Sequence, residues 1–111
     1  MSLGYEQQES SGAIEYGEPG KRSPFLVVEL SSGDTHGLNS SYLHEVAFKK
    51  SEGKISLIYS TKVVEIVGRG MERLHNALCS HGVKRIRVST EACEDVQEVW
   101  VESIVVEVRS K

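Results

Sequence analysis

Between Lys54 and Val88 the hydrophobic period of this chain changes from two to about 3.6 and back to two. Ile55, Leu57 and Tyr59 alternate with polar neighbours as strand residues do, Met71, Leu74 and Leu78 follow one helix face, and Ile86 and Val88 alternate again. The spacing predicts strand, helix and strand in that order. Upstream, Phe25 to Leu30 is rich in β-formers, Ser31-Ser32-Gly33-Asp34 has turn chemistry, and Thr35 to Leu38 returns as a short hairpin partner. Tyr42 to Lys49 alternates with Tyr42, Val46 and Phe48 on one face, and Lys50-Ser51-Glu52-Gly53 supplies a hairpin loop before the next strand. One unbroken strand from Lys54 to Val67 would exceed the width of so small a domain, so the chain must bend at Ser60-Thr61-Lys62. Gly68 and Gly70 end that strand and admit the helix, which Gly82 is expected to close as a left-handed cap after His81. Lys84 to Val88 reads as a short strand, the acidic stretch of Glu91, Glu94, Asp95 and Glu98 as loop, and Val99 to Val108 as the last strand.

A β-meander, one helix of about three turns and two further strands define an α+β domain. The expected architecture is a curved, mostly antiparallel sheet with the helix on its concave face, partly closed as a barrel. Its layout is similar to pleckstrin-like or Sm-like scaffolds, but no motif accompanies that similarity, and layout does not fix function. Residues Met1 to Ser23, rich in Gly, Ser, Glu and Gln, read as a disordered arm, with Met1-Ser2-Leu3 as an expression remnant, and the single domain spans Pro24 to Lys111. Val27-Val28-Glu29-Leu30, Val63-Val64-Glu65-Ile66 and Val105-Val106-Glu107-Val108 echo one another, but the segments between them share no pattern, so common β-propensity explains them.

The balance of 39% hydrophobic and 26% charged residues is that of a globular chain, and the net charge of -3 opposes general attraction to nucleic acid or acidic membranes. No apolar run approaches the roughly 20 residues of a membrane helix, and the N-terminus lacks the basic-then-apolar order of a secretory signal. Two cysteines, Cys79 and Cys93, are too few for a disulfide framework, and a cytoplasmic location is the expectation.

Candidate chemistry begins with His75, Cys79 and His81 on or just after the helix. The set is incomplete for structural zinc, which usually needs four ligands, so no metal and no cofactor are expected. Cys79 reads as a small buried hydrophobe beside the core stripe, and Cys93, among Glu91, Glu94 and Asp95, would have its thiolate disfavoured. No catalytic residue is assigned. Gly68, Arg69, Gly70 and Arg73, at a strand-to-helix junction, form a candidate anion site, although the segment matches neither the P-loop nor the dinucleotide fingerprint. Lys84, Arg85 and Arg87 form a candidate nucleic-acid contact without the aromatic residues that base stacking needs.

The resulting expectation is a non-catalytic interaction or assembly domain. Its alternative is an anion- or nucleic-acid-binding module using Arg69, Arg73, Arg85 and Arg87, and a small enzyme ranks third. The last strand carries apolar residues on both faces, Trp100, Ile104, Val106 and Val108 on one and Val99, Val101 and Val105 on the other. The second set is the expected interface of a homodimer, and no membrane partner is expected.

Overall fold

Eight strands and one α-helix form among the described residues of the computed structural model, which are 13–18, 20–90 and 99–109. They are β1 (Ile14–Tyr16), β2 (Phe25–Glu29), β3 (Thr35–Asn39), β4 (Leu43–Lys49), β5 (Lys54–Tyr59), β6 (Lys62–Arg69), α1 (Met71–Cys79), β7 (Val83–Arg87) and β8 (Trp100–Val108). The class is α+β, as expected. The strands are mostly antiparallel, as expected, and divide into two sheets of four, sheet A in the order β1-β7-β2-β3 and sheet B in the order β4-β5-β6-β8. Neither closes into a barrel. The meander divides after β3, where Asn39 Oδ1 accepts the Ser41 amide at 2.9 Å and a single 3₁₀ turn at Ser40–Tyr42 carries the chain from one sheet to the other. Tyr42 therefore leaves the strand it was expected to start and is exposed. Sheet B is wholly antiparallel, whereas β2 and β7 pair in parallel within sheet A.

The inward faces of both sheets and one stripe of α1 enclose a single core. Val28, Ile55, Leu57, Val64, Ile66, Leu74, Ile86 and Val101 are fully enclosed in it. Burying each such side chain contributes roughly 1.5–3 kcal/mol before ordering entropy is subtracted. β5 alternates strictly between half-buried and buried, and β5 and β6 join through Ser60-Thr61, the expected bend. Tyr59 closes one end of the core, where burial pushes its phenol up to about 12.

Met71, Leu74 and Leu78 of α1 enter the core as the spacing requires, and the helix packs on β4 and β5. It ends in a paired hydrogen-bond cap, with the His81 amide on the Leu78 carbonyl at 3.0 Å and the Gly82 amide on the Ala77 carbonyl at 2.9 Å. The left-handed residue of that cap is His81, at φ 59°, and not Gly82. Gly82 follows it and spends its carbonyl on the Gly17 amide at 2.8 Å.

Three strands carry one extra residue each. Val67 pairs with Ser103 and Gly68 with Val101, which leaves Glu102 over in β8; Lys84 is left over in the same way in β7, and His44 in β4. A bulge shifts the alternation by one, so Val101 and Ile104 both face inward across two exposed residues. This corrects the expected interface. Val99 and Val101 belong to the core of the single chain, and only Val105 of that set is exposed.

The arm is corrected as well, over the part that is described. Ala13 is buried, Ile14 packs against the core, and β1 pairs antiparallel with β7. The Arg87 amide bonds the Ala13 carbonyl at 2.9 Å, and the Ser23 amide bonds the His81 carbonyl at 2.8 Å. Residues 1–12, Met1-Ser2-Leu3 included, lie outside the described residues. Deleting residues 1–23 should remove about 2–3 kcal/mol of apolar burial and lower the unfolding temperature by on the order of 10 °C, measured by circular dichroism. An unchanged melting curve would show that β1 contributes nothing to stability.

Candidate functional site

The basic residues of β7 come together with acids. The Arg85 guanidinium reaches Glu29 Oε1 at 3.3 Å from Nη1 and Glu15 Oε1 at 3.8 Å from Nε, while Lys84 Nζ lies 3.8 Å from Glu15 Oε2. These pairs are half exposed and individually weak, yet they neutralise the surface on which a phosphate backbone would have to bind. The acidic loop from Glu91 to Glu98 lies outside the described residues, as does Cys93. Arg69 and Arg73 sit elsewhere, on β6 and α1, so the four arginines of the expected binding module are carried by three different elements. Arg69 covers the Trp100 ring at 5.6 Å from its centroid, a cation–π contact between cross-strand neighbours.

The Gly68-Arg69-Gly70 segment has a structural explanation. The Gly68 amide is occupied by the Gly53 carbonyl at 3.0 Å, and a Cβ on Gly68 would lie 1.9 Å from the Trp100 carbonyl oxygen. Glycine is required there by the close approach of two backbones. Gly70 then turns the chain into α1 at φ 70°.

His44, Glu45, Cys79 and His81 do share a cleft, of about 190 Å³, with Val46 and Leu78 in its wall. His75 lies beside Cys79, with Nε2 3.6 Å from Sγ, and its ring stacks on Phe48 at 5.5 Å. Among the described residues no three His, Cys, Asp or Glu side chains are placed to hold one metal ion. Cys79 is exposed, contrary to the expectation of a buried hydrophobe, because it lies beyond the stripe that Met71, Leu74 and Leu78 turn inward. His75 Nε2 also lies 3.3 Å from the Val46 carbonyl, so the ring occupies a backbone group on the edge of sheet B. Lost hydration first, and the positive charge of Arg22 second, hold His81 below the usual imidazole range.

The largest feature that sequence reasoning missed is the outer edge of β8. Val101 spends both backbone groups on Ser89, its carbonyl on the Ser89 amide at 2.9 Å and its amide on Ser89 Oγ at 2.8 Å. At the other end the Arg109 amide turns to the Thr61 carbonyl at 2.8 Å, on the β6 side. Alternation between these fixed points directs the amides and carbonyls of Ile104, Val106 and Val108 away from β6. Among the described residues β8 pairs with β6 alone. The run Val105-Val106-Glu107-Val108 was the available signal, but its repetition elsewhere in the chain disguised it as ordinary β-propensity. Comparison with known protein families, with curated proteins and with solved structures finds no match. No helix among the described residues is long and apolar enough to cross a membrane.

Two outcomes are expected. Gly68→Ala should displace β8 and cost about 3 kcal/mol in urea unfolding, whether or not phosphate is present; a phosphate-dependent loss would restore the anion reading. His81 titrates lower in the folded protein than in the unfolded chain. Its contribution to stability is therefore complete above about pH 6.5 and is lost as pH falls through the lowered folded value. His81→Asn, which keeps a residue tolerant of the left-handed region, should lose less stability than the native protein between about pH 7.5 and 5. Parallel melting curves at each pH provide the measurement, and identical slopes for the two proteins would refute this linkage.

Proposed function

We infer that the protein is a non-catalytic assembly domain that forms a homodimer through sheet B. The observation that carries this reading is the outer side of that sheet. Alternation opposite the buried Ile55, Leu57, Val64 and Ile66 places Ile58, Val63, Val67 and Val105 outward. An antiparallel sheet that faces water on one side ordinarily carries polar residues there. The polar members of the same face are Glu45 and Lys49 of β4, Lys54 and Ser56 of β5, Glu65 of β6, which lies 3.9 Å from Lys54, and Ser103 and Glu107 of β8; Ile58 beside Val63, with Val67 and Val105 flanking Glu65, form its apolar part. Val105, at 45% exposure, extends the apolar part to the outermost strand. Apolar residues grouped on the open face of a sheet are a feature of association sites.

The alternative, an anion- or nucleic-acid-binding module, has weaker support, because Lys84 and Arg85 face Glu15 and Glu29 and Arg69 is stacked on Trp100. Sedimentation equilibrium tests the assembly reading. A mass of two chains is expected at tens of micromolar, with dissociation on dilution. A single-chain mass across the whole range would reject it.

A further inference from the structure

Sheet B ends in β4 and β8, and the two edges differ. On the β4 edge α1 packs alongside and His75 meets the Val46 carbonyl. On the β8 edge Ser89 covers Val101, and the stretch from Ile104 to Val108 presents its outward amides and carbonyls to no other element among the described residues. Natural edges are blunted by Pro, by Lys, by bulges or by being short. This stretch contains neither Pro nor Lys, its bulge at Glu102 lies before the open part, and β8 is the longest strand described. Glu107 is its one charged side chain.

We propose that a second copy of this chain adds its own β8 to this edge, antiparallel, about a two-fold axis at Val106, joining two four-stranded sheets into one of eight. The proposal rests on the assembly reading above and specifies its route. Three observations select a second copy. An antiparallel ladder about a two-fold axis sets the same outward groups opposite themselves, so one edge is complementary to its own copy. The open stretch is centred on Val106, and that register uses all of it, with Ile104 opposite Val108 of the second copy and Val106 opposite its equivalent. Ser89 stops the ladder at one end and the turn of Arg109 toward Thr61 stops it at the other. Charge fixes the direction: antiparallel pairing sets Glu107 opposite Val105 of the second copy, while the Arg109 guanidinium stays on the Tyr59 carbonyl of its own chain at 2.8 Å. Parallel pairing would set like against like. Val108, the most exposed large hydrophobic side chain described, gains cover from Ile104 of its partner.

Amide hydrogen exchange followed by NMR, at concentrations above and below dissociation, tests the route on the native chain. Ser103, Val105 and Glu107, which face β6, serve as internal references and should be protected throughout. Ile104, Val106 and Val108 should become protected at least tenfold on association. Val108→Pro removes an amide that the intrachain ladder does not use, and it should weaken dimerisation at least tenfold without unfolding the chain. Phe25→Lys, at an exposed position of sheet A, should leave the dimer intact. A dimer in which Ile104, Val106 and Val108 exchange as fast as in the monomer, and which Ile58→Lys dissociates, would overturn edge pairing while sparing the assembly reading. A monomer at every concentration would overturn both, leaving the edge to an unrelated chain.

Discussion

β6 and β8 meet backbone to backbone at Gly68, where any side chain would collide with the Trp100 carbonyl, and much of sheet B is arranged around that contact. With Gly53 bonded to one side of Gly68 and β8 pressed on the other, β6 cannot shift relative to either neighbour. The extra residue that β8 needs to follow the twist falls beside this point, at Glu102. That bulge turns both Val101 and Ile104 into the core and exposes Glu102 and Ser103. It also fixes which amides of the second half of β8 bond β6 and which point outward. One steric requirement thus sets the register, the inward apolar residues and the polarity of the free edge.

Much of the fold was legible because its signals are local. The strict alternation of Ile55, Leu57 and Tyr59, the i, i+3, i+7 stripe of α1, and the glycines at Gly33 and Gly53 in left-handed turns all follow from single-residue chemistry. The bulges were legible only in retrospect. Leu43-His44-Glu45-Val46, Val83-Lys84-Arg85-Ile86 and Val101-Glu102-Ser103-Ile104 share one pattern, two apolar residues with two polar ones between, and in each the apolar pair points inward. In a helix that pattern joins neighbouring turns; in a strand it requires an extra residue, so a strict period of two placed Val101 on the wrong face. β1 was not legible because its apolar signal is one short run, Ala13-Ile14, in a segment otherwise rich in Gly, Ser and Glu. Its strand character comes from β7, whose edge it covers.

The side chains that first suggested chemistry are mostly engaged in completing this architecture. Arg85 links β7 to Glu29 of β2 and to Glu15 of β1, across the two pairings that make sheet A mixed. Arg69 lies on Trp100 beside the tight crossing at Gly68. His75 stacks on Phe48 and meets a strand-edge carbonyl. Sequence shows which residues can do chemistry, but whether a charge is balanced or an imidazole is occupied depends on partners distant in the chain, and spacing carries no record of them.

The four sheet edges show where such partners are absent. In sheet A, β1 has three residues, and β3 has five with Gly37 at its centre before Asn39 turns the chain away. Both are too short to template a long ladder. In sheet B, β4 carries a helix along it and His75 on its carbonyl. β8 runs for nine residues, and only its first part is held, by Ser89. Shortness, a covering helix and a buried serine have each removed an edge or part of one, so what stays open among the described residues is confined to Ile104 through Val108. An edge of this kind, three of its five residues valine and one a carboxylate, offers a sheet one direction of growth. Its growth stops when two equivalent edges have met, which is the physical difference between a closed pair and a fibre.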